Sequence, residues 1–265
     1  MIVDDAMAAV IETRDLSKAY GDFGALHALN ISMPRGSVFA LLGASGAGKT
    51  TTIKILLNMI EPTRGTATIL GVSSRCLTPR LLEQIGYVSE NQALPARLRV
   101  EEFFRYLRDC YSRWDRQLEG ELREQLLLPS RRRIGELSHG MRLKMALACA
   151  LPFRPPLLIL DEPLSGLDAL ARDEIIGGFL HRAAEMSILI SSHELDEVER
   201  FATHVAFLHE GRLLFQGSVG ALAEHAIPLL QDGRSGDAHK PSLRAIFVAM
   251  VQDAKRAAAR SAPQP

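Results

Sequence analysis

Residues 37–60 read SVFALLGASGAGKTTTIKILLNMI, an apolar run followed by a glycine-rich segment and then a helical pattern. The run from Ser37 to Leu42 has the composition of a buried strand. After the glycines, apolar side chains return at helical spacing, beginning at Ile53. A strand, a short loop and a helix in this order open a parallel α/β sheet, so we expect an α/β fold.

The glycine-rich segment at residues 43–50, GASGAGKT, fits the pattern G-x-x-x-x-G-K-[ST]. Glycines let successive backbone N–H groups curl around phosphate oxygens, and the following helix offers its N-terminus to the same anion. We expect Lys49 to neutralise the β- and γ-phosphates and the Thr50 hydroxyl to bind Mg²⁺. The residues predicted to bind phosphate are Gly43, Ala44, Ser45, Gly46, Ala47, Gly48, Lys49, Thr50 and Thr51.

A second apolar strand, predicted at residues 157–161, ends in the adjacent acids Asp161 and Glu162. Ligand chemistry in α/β folds lies at the carboxyl ends of parallel strands. We therefore expect Asp161 to hold Mg²⁺ and Glu162 to act as general base on the attacking water. The alternative, a solvated strand end, is disfavoured by the phosphate loop. Further strands are predicted at residues 187–191 and 205–209.

Ser138 and Gly140 stand at the start of a predicted helix at residues 142–151, a second small anion-binding geometry. One nucleotide hardly needs two γ-phosphate cradles, so we expect the second cradle to serve the nucleotide of a neighbouring molecule. His193 follows the strand at residues 187–191. A lone histidine is more often structural, but at this sheet edge it can reach γ-phosphate or water.

These motifs resemble, in order and spacing, those of the ATP-binding-cassette (ABC) family, specifically its transporter nucleotide-binding domains. The phosphate loop is followed by LSHGM at residues 137–141, LLILDEP at 157–163, SGLD at 165–168 and His193. The resemblance covers roughly residues 10–220. The segment from Ile85 and the ending from Ser242 also resemble the exporter branch associated with ABC-2-type permeases.

The resemblance implies a P-loop NTPase core, a mostly parallel sheet with helices on both faces. An N-terminal antiparallel β subdomain and an inserted α-helical subdomain at about 93–152 complete the expected fold. The cassette is expected at residues 8–252, with a C-terminal helical extension at 221–252 and a disordered tail at 253–265.

The resemblance also assigns roles to further residues. It implies that Tyr20 stacks on adenine, although a packed turn residue is the alternative. It implies that Ser138 and Gly140 hold the γ-phosphate bound by a partner cassette, and that Asp168 lines the dimer seam. It further implies ATP and Mg²⁺ as ligands and a separate membrane permease as partner. Homodimer and heterodimer are both compatible, since the chain carries both half-sites.

One departure from the family concerns the loop that usually supplies a glutamine, which reads Ser89-Glu90-Asn91-Gln92. By alignment Glu90 takes the glutamine position, with a catalytic and metal-binding role, although Gln92 could swing in. A carboxylate there would bind Mg²⁺ differently and repel γ-phosphate until the metal is seated. In the signature, His139 and Met141 replace consensus residues.

The composition narrows the class of protein. Lys and Arg total 31, as do Asp and Glu, so no bulk field attracts nucleic acid or anionic lipid. Three separated cysteines indicate reduced thiols. Neither a signal peptide nor a membrane span is expected, so a membrane would be reached through a partner, on the cytoplasmic side.

Two other functions are compatible with the same motifs. A soluble regulatory ATPase acting on ribosomes or DNA is favoured only by the ten arginines between Pro95 and Arg133, which seven acids interrupt. A module that uses ATP only as a dimerisation ligand is disfavoured by the intact Asp161, Glu162, Asp168 and His193. The leading hypothesis is an ATP-hydrolysing exporter subunit.

Overall fold

The computed structural model describes residues 9–167, 172–173, 176, 186–222, 224 and 242–261. The strands, in chain order, are β1 (Ala9–Tyr20), β2 (Phe23–Leu29), β3 (Ser32–Pro34), β4 (Val38–Leu42), β5 (Arg64–Ile69), β6 (Val72–Ser73), β7 (Ile85–Ser89), β8 (Leu157–Asp161), β9 (Ser187–Ser192), β10 (His204–His209) and β11 (Arg212–Ser218). The helices are α1 (Lys49–Leu56), α2 (Pro79–Leu82), α3 (Val100–Cys110), α4 (Arg116–Gln125), α5 (His139–Ala150), α6 (Leu195–Val198) and α7 (Leu243–Ser261).

The core sheet has six strands in the order β11-β10-β4-β9-β8-β7. Every neighbouring pair is parallel except the β10–β11 hairpin. This mostly parallel sheet confirms the predicted fold class. The carboxyl ends of β4, β8 and β9 meet at one edge, which is where the phosphate loop, Asp161 and His193 follow in sequence.

Strand β4 is buried on both faces, and its side chains alternate between two cores. Val38, Ala40 and Leu42 belong to the core formed with the inserted helices. Phe39 and Leu41 belong to the core formed with α1 and the N-terminal sheet. A strand enclosed on both sides is expected to be apolar throughout, which explains the uninterrupted run in the sequence.

The second sheet is antiparallel and has the order β2-β1-β5-β6, with β3 also paired to β1. The predicted antiparallel subdomain is thus present. Strands β5 and β6 come from the segment after α1, which sequence analysis left unassigned. The reason is that β5 is short and buries only Ala67 and Ile69, too few positions for a clear alternating pattern.

Between β7 and β8 lie α3, α4 and α5, joined by loops and a 3₁₀ turn at Ile134–Glu136. The predicted helical insertion therefore also contains loops, since Pro129 and the arginines after it lie outside any helix. Helix α5 also begins earlier than predicted, at His139. Ser138 is its N-cap, and its Oγ accepts a hydrogen bond from the Met141 N–H at 3.2 Å.

A buried carboxylate joins α3 to α4. Glu119 is 2% exposed and accepts two hydrogen bonds from Arg108, at 2.7 and 2.8 Å. It also accepts one from Trp114 at 2.9 Å and one from Arg123 at 3.0 Å. Burial raises the pKa of Glu119, but these donors outweigh it, and the net pKa is lowered. The network fixes the mutual placement of the two helices.

The C-terminal segment differs from the sequence prediction. Helix α7 continues to Ser261, so the prediction of a disordered tail from residue 253 was wrong for residues 253–261. Alanine, lysine and arginine dominate this part, and all three are strong helix formers. Residues 223 and 225–241 of the predicted extension at 221–252 lie outside the described residues. Within the described ranges, no helix combines the length and apolar character needed to cross a bilayer.

Candidate active site

The phosphate loop connects β4 to α1, and two of its glycines are sterically required. Gly48 has φ 105°, and a Cβ there would lie 2.6 Å from Leu26 Cδ2 and 2.9 Å from the Ala25 carbonyl oxygen. A Cβ on Gly43 would lie 2.3 Å from the carbonyl oxygen of Leu208 on β10. The loop backbone is thus held against β2 and β10, with the N-terminus of α1 behind it.

Lys49 lies at the centre of the site and is only 4% exposed. Its Nζ donates to the carbonyl oxygens of Gly43 at 2.7 Å and Ala44 at 3.1 Å. It also forms an ion pair with Glu162 Oε1 at 3.0 Å. A buried ammonium is costly unless it is paired, and here the loop and the carboxylate together satisfy it.

Glu162 connects Lys49 to His193. Its second oxygen, Oε2, lies 2.8 Å from His193 Nδ1 and also accepts the His193 backbone N–H at 3.3 Å. Glu162 has φ 52°, an uncommon value for a residue with a side chain. The residue predicted as general base therefore has hydrogen-bonding partners on both carboxylate oxygens, and one of them is a histidine side chain.

Asp161 and Thr50 form the predicted metal-binding pair. The Thr50 hydroxyl donates to Asp161 Oδ1 at 3.1 Å, and Asp161 is buried. The same oxygen accepts a 2.6 Å hydrogen bond from Ser191 Oγ, which in turn accepts the Glu162 N–H at 2.9 Å. From the sequence, Ser191 is predicted only as part of a strand. Its position directly opposite Asp161 in the β8–β9 register would have identified it.

The Asp161 carboxylate and the Thr50 hydroxyl fit Mg²⁺, which prefers oxygen ligands of these kinds. Among the described residues, no group of three or more His, Cys, Asp and Glu is placed to hold a metal. In phosphate sites, Mg²⁺ is bound by one or two carboxylates, and substrate phosphates complete the shell. Nearby, the pKa of the Tyr87 hydroxyl is raised, chiefly by burial, and the Asp161 carboxylate adds to the shift.

A cavity of about 440 Å³ brings most of the predicted residues together. Tyr20 lies at its mouth, 49% exposed, with Lys18 Nζ 5.0 Å from the ring centroid. Phe23, 65% exposed, also lines it and was missed by sequence analysis, although a second aromatic three residues from Tyr20 was a signal. The lining residues are Tyr20, Phe23, Ala25, Ser45, Gly46, Ala47, Gly48, Lys49, Thr50, Thr51, Glu90, Glu162, Ser165 and His193.

The loop after β7 contributes Glu90 to this cavity, whereas Gln92 is not among the lining residues. The Glu90 N–H donates to the Asp161 carbonyl oxygen at 3.0 Å. Its side-chain Oε1 accepts a hydrogen bond from Ser165 Oγ at 2.9 Å. Of the two candidates for the glutamine position, the structure thus places Glu90 at the site. Ser165, which the sequence identifies only as part of the SGLD motif, holds the Glu90 side chain at the cavity.

Ser138 and Gly140 lie apart from this cavity and are not among its lining residues. Ser138 is exposed and Gly140 is half-buried at the start of α5. A Cβ on Gly140 would lie 3.3 Å from Leu167 Cδ2, and one on Gly166 would lie 3.7 Å from His139 Nε2. The start of α5 thus packs on the loop that follows β8. Asp168, the predicted seam residue, lies outside the described residues.

Comparison with known proteins identifies the family. The ABC transporter model matches residues 26–165. The bacitracin transport ATP-binding protein BcrA of Bacillus licheniformis is 36% identical over 213 residues, covering 78% of this chain and 69% of its own length. The probable multidrug ABC transporter ATP-binding protein YbhF of Escherichia coli (strain K12) is 29% identical over 257 residues, which cover 92% of this chain.

The chain spans only 42% of the length of YbhF. A solved structure, described as an ATP-binding subunit of an ABC transporter, has a TM-score of 0.78 and 29% identity, covering 91% of this chain and 99% of its own. The family match covers more than half of the chain and includes the phosphate loop, the Ser138 segment and the acids after β8. The chain therefore belongs to the ABC transporter family and carries its ATP-binding cassette.

Proposed function

We propose that the chain binds and hydrolyses ATP in a site completed by a second cassette, and that this cycle drives export through a separate membrane permease. The observation that carries the proposal is the separation of two phosphate-binding geometries. One is the loop at residues 43–50, inside the cavity. The other is the exposed start of α5 with Ser138, outside it. Because the two geometries do not share one cavity, we assign the second to the nucleotide of another copy.

In the proposed cycle, the loop N–H groups and the Lys49 ammonium bind the phosphates, and Tyr20 stacks on the adenine. Thr50 and Asp161 would hold Mg²⁺, with Glu90 beside them, and the metal neutralises phosphate charge when bound. Glu162 accepts a proton from the attacking water. His193, bonded to Glu162 Oε2, fixes the orientation of that carboxylate and can contact the γ-phosphate.

ATP favours the closed pair because Ser138 and Gly140 of one copy contact the γ-phosphate held by the other. Hydrolysis removes that contact, and repulsion between the products opens the pair. The nucleotide thus has a different affinity for two arrangements, which is the condition for a ligand to drive a conformational change. The helical segment at 95–133 and the Glu90 loop would transmit the motion to the permease, at the inner face of the cell membrane.

The role of Tyr20 leads to a first prediction. Tyr20→Ala should weaken ATP binding by about tenfold or more, since stacking of a base on an aromatic ring contributes roughly 1–3 kcal/mol. Tyr20→Trp should retain affinity. Fluorescence titration with a labelled ATP analogue measures both. Tyr106→Ala serves as control, because Tyr106 is also largely exposed but lies on α3 outside the cavity. If Tyr20→Ala bound ATP with the same affinity as the wild type, Tyr20 would be a packed turn residue that does not stack on adenine.

The shared site can be tested by mixing two inactive variants. Lys49→Met removes the phosphate-binding ammonium. Ser138→Asp keeps a good N-cap for α5 but presents a negative charge to the γ-phosphate. Each variant alone should have background ATPase activity. Mixed pairs contain one site with a wild-type loop and a wild-type cradle, so an equimolar mixture should regain about a quarter of wild-type turnover if pairing is random.

Phosphate release from the mixture is the measurement, with circular dichroism and thermal melting to establish that both variants are folded. Ser138→Asn is the matched control, since asparagine caps the helix equally well without adding charge. It should retain more activity than Ser138→Asp. A mixture that remains at background while both variants are folded would contradict a site shared between two copies.

A further inference from the structure

The nucleotide cavity carries an unusual balance of charge. Glu90 and Glu162 both line it, and Asp161 is hydrogen-bonded to Thr50 at its edge. Among the described residues that line the cavity, Lys49 is the only lysine or arginine. It is already paired with Glu162. ATP brings further negative charge to the same place. The ion pair with Lys49 balances the charge of Glu162. The Glu90 carboxylate lines the same cavity without such a cation beside it among the described lining residues.

Glu90 is fixed on the cavity from two directions. Its backbone N–H is bonded to the carbonyl oxygen of Asp161, and its side chain accepts the Ser165 hydroxyl. Ser165 lies four residues after Asp161, in the turn that follows β8. A surface glutamate would swing away from an incoming phosphate. Because the main chain and the side chain of Glu90 are both hydrogen-bonded, its carboxylate cannot turn away from the phosphate without breaking these bonds.

We infer that Glu90, held by Ser165, makes nucleotide binding conditional on a divalent metal. Without metal, the fixed carboxylate repels the terminal phosphate. With Mg²⁺, a carboxylate on the same cavity as Thr50 becomes favourable, because it is a ligand type that the ion prefers. The inference rests on the proposed function and adds a regulatory property to the same site, carried by a side chain that differs from the usual glutamine.

The decisive variant is Glu90→Gln. Glutamine has nearly the same size and keeps a carbonyl oxygen that can accept the Ser165 hydroxyl, so only the charge is removed. If Glu90 served merely to hold the loop, this variant would bind nucleotide as the wild type does. If its charge repels phosphate, metal-free binding should become tighter while Mg-ATP binding should not.

A matched control exists in the same chain. Glu83 also accepts a serine hydroxyl, that of Ser112, at 2.6 Å, and it does not line the nucleotide cavity. Glu83→Gln therefore removes the same charge from the same kind of hydrogen bond at another place. Any effect of net charge or of loop stability alone should appear in both variants.

The experiment measures equilibrium binding of a fluorescent ATP analogue to wild type, Glu90→Gln and Glu83→Gln, in excess EDTA and in excess Mg²⁺. We expect Glu90→Gln to raise the affinity for the ATP analogue in EDTA by about tenfold. The substitution removes the repulsion between two like charges several ångströms apart in a partly solvated site. Affinity in Mg²⁺ should be unchanged or lower. Glu83→Gln should match the wild type in both conditions.

Ser165 supplies a second test of the same inference. Ser165→Ala releases the Glu90 carboxylate, so metal-free affinity should rise toward that of Glu90→Gln, and Ser165→Thr should restore the wild-type value. An unchanged ratio of the two affinities in Glu90→Gln would overturn the inference. Failure of the wild type to bind Mg-ATP at all would instead overturn the proposed function, so the two failures are distinguishable.

Discussion

Glu162→Gln should lower ATP turnover by about 10²–10⁴-fold, the usual contribution of a positioned general base. Glutamine keeps the shape of the side chain and can still accept from Lys49, but it cannot take a proton from water. Binding should persist, because the phosphate loop is untouched. The variant should therefore accumulate ATP-loaded pairs. Phosphate release measures turnover, and size-exclusion chromatography with light scattering measures the mass with and without ATP.

A comparable change at the surface supplies the control. Glu61 is exposed just after α1, and Glu61→Gln should behave as wild type in both assays. Wild-type turnover of Glu162→Gln would refute the role of Glu162. An ATP-loaded Glu162→Gln protein that stays monomeric, even with its permease, would refute closure across a seam.

The largest effect on stability is expected at Glu119. Glu119→Ala leaves Arg108 and Arg123 without the carboxylate that both contact. Because these arginines are 27% and 21% exposed, the cost should lie at the lower end of the range for broken buried pairs, about 3 kcal/mol. Urea unfolding followed by circular dichroism gives the free energy of unfolding. Glu124→Ala, an exposed position on the same helix, should change that free energy by no more than about 0.5 kcal/mol.

The same carboxylate sets a dependence on pH. The folded-state pKa of Glu119 is lowered from its ordinary value of 4.5, so its contribution to stability is present above that value. It is lost as the pH falls through the lower, folded-state pKa. The difference in stability between wild type and Glu119→Ala should therefore shrink in acid. A difference that is constant from neutral pH to strong acid would exclude this origin.

The core sheet and the phosphate loop could be predicted because local patterns suffice for both. A strand buried on both faces is apolar throughout, and a backbone that wraps phosphate requires glycines at fixed spacing. The order of the motifs then identified the family. Strand β5 was missed because it pairs with β1 some 50 residues earlier, which no local pattern reveals. Strand β6 has two residues and pairs with β5, so it was missed with it.

Side-chain contacts within the site were harder to predict. The bonds of Ser191 to Asp161 and of Ser165 to Glu90 depend on the register of β8 with β9 and on the path of the turn after β8. Sequence comparison could align Glu90 with a glutamine, but it could not choose between Glu90 and Gln92. That choice required the position of the loop relative to the cavity.

The placement of β4 has a consequence for biosynthesis. Its partners in the sheet are β9 and β10, both about 150 residues or more further along the chain. Gly43 is packed against β10 as well. A growing polypeptide on the ribosome therefore contains the whole glycine-rich loop long before the neighbours that shape it have been synthesised. We expect nucleotide affinity to arise only after β10 has been synthesised, in a slow step of high contact order.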